Sequence, residues 1–174
     1  PEYWNINISR INDKNICITT GGSDFNELMP RFIKNLKNIS YKKKIIVGPG
    51  YTKKEIKEIE NIVNVDDEIV YKPDSLLEYF KESSIVLTAA GTSVYEILRL
   101  NKMPIIYVLA DNQINIAKEL EKYGVLNLGE YNNIDFIQLQ SIIQKQIKNI
   151  DYKIEKLDAL YKKIDGQGSK RVAK

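Results

Sequence analysis

The first segment of the sequence that could do chemistry is the run Thr20, Gly21, Gly22, Ser23 and Asp24. Two adjacent glycines let the backbone approach a ligand closely, and the start of a following helix offers free N–H groups and the positive end of its dipole. Such an arrangement binds phosphate. The run lacks the Gly-Lys-Ser/Thr of a P-loop and the Gly-x-Gly-x-x-Gly of a dinucleotide site. The alternative is a tight turn in which Ser23 or Asp24 caps the helix.

A second segment, residues 89–96, again places small residues before a helix and includes Gly91, Thr92 and Ser93. Ser93 and Glu96 have the spacing of a capping box, in which the glutamate bonds back to the serine N–H. Alternatively, the Glu96 carboxylate faces a cleft one turn into the helix and accepts from two vicinal hydroxyls, a pair that a ribose carries. The sequence leaves both interpretations open.

A third polar cluster, Asp111, Asn112 and Gln113, follows the fifth predicted strand. Short carboxylate and amide side chains orient sugar hydroxyls and amides, although Asp111 or Asn112 could instead cap the next helix. None of the three segments contains a nucleophile beside a base. Together they predict a binding face whose catalytic group lies elsewhere.

Composition excludes several classes of site. The chain has 174 residues, no histidine and one cysteine. It therefore supplies no Ser-His-Asp triad, no histidine or multi-cysteine zinc site and no internal disulfide. We find no Asp-x-Asp element, so we expect no cofactor and no metal. The longest plainly apolar stretch, residues 104–110, is too short to span a membrane.

The net charge of +3 is concentrated at the end of the chain. Residues 151–174 carry seven lysines and arginines against four acids, which leaves equal numbers of each sign in residues 1–150. Because a nucleic-acid-binding domain needs a basic surface on its body, we expect no nucleic-acid partner. The one dense basic run of the body, Lys42, Lys43 and Lys44, is expected to be a solvated start of a strand.

Short β-branched segments alternate with helical patterns along most of the chain. Strands are predicted at residues 15–20, 44–48, 68–71, 84–89, 104–109 and 125–128. Helical spacing separates them, and two longer amphipathic helices follow the last strand. This alternation predicts an α/β fold, a Rossmann-like parallel sheet of about six strands with helices on both faces. Ligands bind such a sheet at the carboxyl ends of its strands, where the three polar segments lie.

We divide the chain into a linker or hinge at residues 1–14, an α/β domain at 15–150, and a C-terminal helix with a basic tail at 151–174. The sequence opens with Pro1 and no methionine. We therefore expect it to be a piece of a longer protein. With neither a signal-peptide pattern nor a membrane span, a cytoplasmic location is expected.

The three segments resemble the C-terminal half of GT-B glycosyltransferase-like proteins. The best match is to the UDP-sugar hydrolases of pseudaminic acid synthesis, which remove UDP from a 2,4-diacetamido-2,4,6-trideoxy-altropyranose. The motif of residues 91–96 is shared more widely, for example with the N-acetylglucosaminyltransferase of peptidoglycan synthesis. The sequence at 110–113 and the Asp-Gly-x-Gly at 165–168 are more particular to the hydrolases.

The resemblance implies a UDP or UDP-sugar ligand and assigns roles to residues. Glu96 would hold the ribose hydroxyls, and backbone near Lys72 would pair with the uracil edge. The diphosphate would lie against Gly21, Gly22, Ser23, Gly91, Thr92 and Ser93, and the sugar against Asp111, Asn112 and Gln113. The family's proposed general base is a histidine in an N-terminal domain, so the resemblance implies no catalytic residue in this chain.

Three functions remain open at this point. The chain could be half of a hydrolase, with water as acceptor, or half of a transferase that moves a sugar to a lipid, glycan or protein. It could also be a stand-alone UDP-sugar-binding subunit, although the missing methionine argues against that. The hydrolase and the transferase differ in the acceptor side, which this half does not contain.

Overall fold

The computed structural model describes residue 3, residues 14–24, residues 26–164 and residue 171. Within them the chain forms one sheet of six strands: β1 Asn15–Thr19, β2 Lys42–Val47, β3 Glu68–Tyr71, β4 Ile85–Ala89, β5 Met103–Val108 and β6 Leu126–Glu130. The order across the sheet is β3-β2-β1-β4-β5-β6, and every neighbouring pair is parallel. The predicted α/β fold with a Rossmann-like parallel sheet is confirmed.

Helices connect the strands and follow the last one. They are α1 Leu28–Leu36, α2 Lys53–Ile62, α3 Leu77–Lys81, α4 Ser93–Arg99, α5 Ile114–Lys122, α6 Phe136–Lys148 and α7 Ile150–Tyr161. Helix α2 is predicted only by the general alternation of strands and helices, although its start carries a clear local signal. The Thr52 hydroxyl accepts from the Glu55 N–H at 3.3 Å, and the Glu55 carboxylate accepts from the Thr52 N–H at 2.6 Å. This reciprocal pair is a capping box.

The strand order reverses at the centre of the sheet. From β1 the chain proceeds outward through β2 to β3, then crosses back to β4, which pairs with the other side of β1. The loops that follow β1 and β4 therefore diverge from neighbouring strand ends. In open α/β sheets the crevice between such loops is where ligands bind.

Apolar side chains cover both faces of the sheet. Along β1, Ile16 and Ile18 belong to the larger core cluster, whereas Cys17 points to the opposite face with Val86 and Phe80. All five residues are fully buried, which fits a central strand covered on both sides. Burial raises the pKa of the Cys17 thiol, so Cys17 is a core residue and no nucleophile.

The expectation that the basic run at 42–44 is a solvated start of a strand is wrong for two of its three lysines. Lys43 and Lys44 lie inside β2 and are buried. The Lys43 ammonium lies 3.3 Å from the carboxylate of Asp67, and Lys44 contacts the carboxylates of Glu68 and Glu82. Buried charges need such partners, and these come from elements distant in sequence.

The two predicted amphipathic helices after β6 are α6 and α7. Helix α7 contacts α4, α6 and β5, and its Leu157 and Leu160 join the larger core cluster. The described residues leave out most of the proposed linker at residues 1–14. They also leave out residues 165–170, which contain the Asp-Gly-x-Gly motif, and residues 172–174. In the described part of the chain no helix has the length and apolar character to cross a membrane.

Candidate functional site

A cleft of about 430 Å³ lies at the carboxyl ends of β1, β4 and β5. It occupies the position where the strand order reverses, as the fold class predicts. It brings together the three polar segments that the sequence singled out. The described residues that line it are Thr20, Gly21, Gly22, Ser23, Asp24, Asn26, Leu28, Thr88, Ala89, Gly91, Thr92, Ser93, Leu109 and Gln113.

Asp24 takes up the start of helix α1. Its carboxylate accepts from the Leu28 N–H at 3.0 Å and from the Met29 N–H at 2.7 Å. Glu27 is the N-cap residue of α1 and makes no side-chain cap bond. Asp24 instead provides the hydrogen bonds of a cap from three residues upstream, so these two N–H groups are not available to a phosphate. Burial raises the pKa of the Asp24 carboxyl, although the two backbone hydrogen bonds act against that rise.

The glycine loop, which we define as residues 20–23, offers its own backbone instead. Gly21 has a φ of 90°, in the left-handed region that favours glycine. Within the described chain, the N–H groups of Gly22 and Ser23 have no acceptor. Across the cleft the same is true of the N–H groups of Thr92 and Ser93. Two pairs of unpaired donors thus line opposite sides of one cleft, which suits an anion with several oxygens.

Helix α4 does not begin with the predicted capping box. Thr92 is its N-cap and makes no side-chain cap bond, and Ser93 is the first helical residue. Because Ser93 is not the N-cap, the capping interpretation of Ser93 and Glu96 is wrong. Glu96 is half-buried in the first turn of α4 and does not line the cleft itself. Its assignment to ribose stays a prediction.

Of the third segment, Gln113 alone reaches the cleft among the described residues. Its Oε1 accepts from the Leu109 N–H at 2.8 Å, and its Nε2 lies on the side of Gly91, 3.9 Å from where a Gly91 Cβ would be. Asp111 and Asn112 are exposed in a 3-10 turn, and neither caps it or α5. The capping alternative for these two residues is wrong.

Lys72 lies outside the cleft, at the carboxyl end of β3. Its φ of 45° is left-handed, and its N–H donates to the Val47 carbonyl at 2.8 Å. Of the backbone groups of Lys72, only the carbonyl therefore remains to pair with a base. The uracil assignment therefore stays a prediction that concerns the Lys72 carbonyl.

Sequence reasoning missed the loop that follows β2, residues 48–51. The Gly50 N–H donates to the Gly22 carbonyl at 2.7 Å, and the Tyr51 hydroxyl bonds the Thr20 hydroxyl at 2.5 Å. This loop therefore contacts the back of the glycine loop. The signal was the Gly-Pro-Gly at 48–50, directly after a buried strand.

A second cavity, of about 480 Å³, lies at the opposite end of the sheet between residues 37–43 and 64–67. Although it is slightly larger, we place the site in the first cleft. Two of the charged residues that line the second cavity, Lys43 and Asp67, are bonded to each other. This cavity also lies at the amino ends of the strands, whereas ligands of such sheets bind at the carboxyl ends. Among the described residues no group of acidic, cysteine or histidine side chains could hold a metal ion.

Solved glycosyltransferase structures share this fold. The chain matches MurG of Acinetobacter baumannii with a TM-score of 0.67 at 16% identity, over 88% of this chain and 46% of that one. It matches the spinosyn rhamnosyltransferase SpnG, complexed with thymidine diphosphate, with a TM-score of 0.71 at 16% identity, over 91% and 43%. It matches Phytolacca americana UGT2, complexed with a UDP-2-fluoro-glucose and pterostilbene, with a TM-score of 0.63 at 14% identity, over 89% and 38%.

The chain thus spans less than half the length of these structures. No curated protein matches it significantly by sequence. The model of the family described as glycosyltransferase family 28 C-terminal domain matches residues 15–173. This match gives no support to the hydrolase resemblance and favours the transferase alternative. Because that match covers nearly the whole sequence, the chain belongs to the family of glycosyltransferase family 28 C-terminal domains.

Proposed function

We propose that this chain is the donor-binding domain of a GT-B glycosyltransferase and that it holds a UDP-sugar. Family membership supports a role in sugar transfer. Two of the structurally similar proteins contain thymidine diphosphate or a UDP-sugar. The cleft at the strand reversal has the volume and the donors that a nucleoside diphosphate needs.

The observation that carries the proposal is the pair of donor sets across the cleft. Gly22 and Ser23 on one side, and Thr92 and Ser93 on the other, bring four N–H groups without acceptors to one space. Fixed backbone donors stabilise the charge of a diphosphate without reorganising when it binds. No lysine or arginine lines the cleft in the described part of the chain. The backbone must therefore provide most of the stabilisation that this domain offers.

The remaining contacts are proposed from the resemblance. Gln113 would donate from its Nε2 to a sugar hydroxyl or amide, because its Oε1 is already bonded to the Leu109 N–H. Asp111 and Asn112 would approach the sugar from the rim. Glu96 would accept from the ribose hydroxyls, and the Lys72 carbonyl would accept from the uracil N–H.

The acceptor and the catalytic base would come from an N-terminal domain of the same protein. The chain has no histidine, and the described residues that line its cleft include a single carboxylate, that of Asp24, which is bonded to the start of α1. Release of UDP to water, the pseudaminic acid hydrolase activity, is the finer hypothesis, and the sequence at 110–113 is its basis. Transfer to a lipid, glycan or protein acceptor is the proposal that the family favours.

Calorimetric titration with UDP, TDP, ADP and GDP, each with and without a chelator, tests the proposal. We expect UDP to bind more tightly than either purine nucleotide and to need no metal. Equal binding of ADP would contradict the assignment. A tighter TDP would keep the donor-binding role and change the nucleotide.

A matched pair of variants then tests the donors themselves. Thr92 has a φ of −64°, which proline shares, so Thr92→Pro removes the N–H with little change of backbone angle at that residue. Thr92→Ala keeps the N–H and removes the hydroxyl. We expect Thr92→Pro to weaken UDP by roughly tenfold or more, the loss expected for one hydrogen bond to a charged group. Thr92→Ala should weaken UDP less.

A further inference from the structure

We infer that residues 48–51, here called the clamp loop, are positioning residues that hold the glycine loop with its N–H groups turned toward the cleft. The inference rests on the proposed function, because it concerns how the diphosphate-binding backbone is arranged. The clamp loop does not line the cleft, so its role is exerted through the glycine loop.

The first contact fixes one peptide unit. The Gly50 N–H donates to the Gly22 carbonyl at 2.7 Å. The described chain contains no cis peptide, so the Ser23 N–H points opposite to the Gly22 carbonyl of the same planar unit. Holding the carbonyl toward the clamp loop therefore turns the Ser23 N–H away from it.

The second contact fixes the preceding unit by close packing. A Cβ on Gly48 would lie 2.4 Å from the Gly21 carbonyl oxygen and 2.6 Å from that of Gly22. Both carbonyls therefore face the clamp loop, and the Gly22 N–H points away from it as well. The φ of 90° at Gly21, in the left-handed region that favours glycine, turns the chain immediately before these two peptide units. Gly48 is a glycine because no other residue leaves room for this approach.

Side chains complete the contact. The Tyr51 hydroxyl bonds the Thr20 hydroxyl at 2.5 Å, and the Thr20 hydroxyl donates to the Ser23 carbonyl at 3.2 Å. Tyr51 is buried, and burial raises the pKa of its hydroxyl. The hydroxyl therefore stays protonated and bonded at neutral pH. The Thr52 and Glu55 capping box anchors the far end of the clamp loop.

These contacts suggest a division of labour between the two loops. The glycine loop provides the donors, and the clamp loop prevents them from rotating away. Loosening the clamp should cost affinity for the diphosphate and leave contacts to the nucleoside unchanged. Substitution of a residue that only stabilised the fold would weaken the binding of diphosphate and of nucleoside to the same extent, or would weaken neither.

The test titrates the ¹⁵N-labelled chain with UDP, uridine and inorganic pyrophosphate. In the wild type the amide signals of Gly22 and Ser23 should shift with UDP and pyrophosphate but not with uridine. Gly48→Ala should weaken UDP by about 10- to 100-fold, the range for one or two hydrogen bonds to a charged group, and uridine by less than about twofold.

Tyr51→Phe is the conservative variant if Gly48→Ala does not fold. It should weaken UDP by roughly threefold to tenfold, the lower range for one hydrogen bond acting through a second. Tyr41→Phe is the matched control, at a buried tyrosine immediately before β2, and it should bind UDP as the wild type does.

Each outcome separates this inference from the proposed function. If UDP binds but the Gly22 and Ser23 signals do not move, or if the variants weaken UDP and uridine equally, the clamp inference is wrong and the function stands. If pyrophosphate shifts these signals and no nucleoside diphosphate binds, the function is wrong and the clamp stands. If neither ligand binds the wild type, both are wrong.

Discussion

Glu96 is the residue at which the proposed nucleotide contacts can be tested most sharply. The sequence left a capping box and a ribose contact equally open. The structure excludes the capping box, because the N-cap of α4 is Thr92 and not Ser93. A carboxylate can accept from two vicinal hydroxyls through its two oxygens, whereas an amide has one acceptor oxygen and one donor nitrogen. The role of Glu96 can therefore be measured with a substitution that preserves its shape.

We expect Glu96→Gln to fold with near wild-type stability and to weaken UDP by about 10- to 100-fold, since hydrogen bonds to a charged group contribute roughly 1.5–3 kcal/mol each. Calorimetry and thermal unfolding measure the two effects. As a control, 2′-deoxy-UDP should bind the wild type weakly and the variant no worse than UDP itself. A variant that binds UDP normally would exclude the ribose assignment.

Asp24 gives a pH dependence of the opposite sign to that of an ordinary salt-bridged aspartate. Burial raises its folded-state pKa above the ordinary value of 3.8. The folded state therefore retains the proton longer than the unfolded state, and stability falls as pH rises from about that value through the raised pKa. Above the raised pKa the effect is constant.

Asp24→Asn isolates this effect, because the amide does not titrate. Denaturant unfolding of both proteins between pH 3.5 and 7 should show the wild type losing stability relative to the variant as pH rises. The variant loses one of the two side-chain oxygens that accept from backbone N–H groups, at a cost of about 1 kcal/mol that is the same at every pH. A wild type that gains on the variant with rising pH would contradict this account.

At the scale of elements, the sequence predicts the strands of the sheet well but does not predict which of its charged residues are buried. All six strands were predicted within about two residues, because apolar β-branched runs between helical patterns are a local signal. Helix α2 was predicted only by the general alternation of strands and helices, although Thr52 and Glu55 carry the capping signal. Lys43 was predicted to be solvated, because its partner Asp67 is brought to it only by the pairing of β2 with β3. The clamp loop was missed for the same reason, since its contacts are to the glycine loop that follows β1.

The ion pair of Lys43 and Asp67 should stabilise the β2–β3 edge without affecting the site. Their side chains are 3% and 2% exposed, and Asp67 also accepts from the Lys43 N–H. Breaking such a pair leaves a buried charge, so Asp67→Asn should lower the free energy of unfolding by about 3–5 kcal/mol. Urea unfolding measures it.

The double variant Lys43→Met, Asp67→Leu is the control for this pair. Replacing both charges with apolar groups removes the uncompensated ion and should restore much of the lost stability. Every variant that folds should bind UDP as the wild type does, because the pair lies at the amino ends of the strands. A folded variant with altered UDP affinity would show that changes at this edge of the sheet affect binding in the cleft.

At the scale of the molecule, the proposed function assigns donor binding to this chain and catalysis to an N-terminal domain. The chain spans less than half the length of the solved transferases with its fold. Among the described residues of its cleft, the one carboxylate, that of Asp24, is bonded to the start of α1 and not free to act as a base. Positioning and charge stabilisation alone do not complete a displacement at a sugar carbon.

This division predicts that the chain alone releases no UDP from a UDP-sugar at an appreciable rate. Ordinary enzymes turn over at about 10 s⁻¹, and we expect a rate well below a tenth of that. A coupled assay for free UDP measures it, with a heat-unfolded sample as the blank. A rate above about 1 s⁻¹ would show that the chain holds a complete active site.

The most direct test of the central claim is a crystal structure of this chain with UDP. We predict that the diphosphate lies in the cleft at the strand reversal, with its oxygens about 2.7–3.2 Å from the backbone nitrogens of Ser23 and Thr92. UDP in the larger cavity at the amino ends of β2 and β3, or a diphosphate that contacts neither loop, would contradict the assignment of this domain as the donor site.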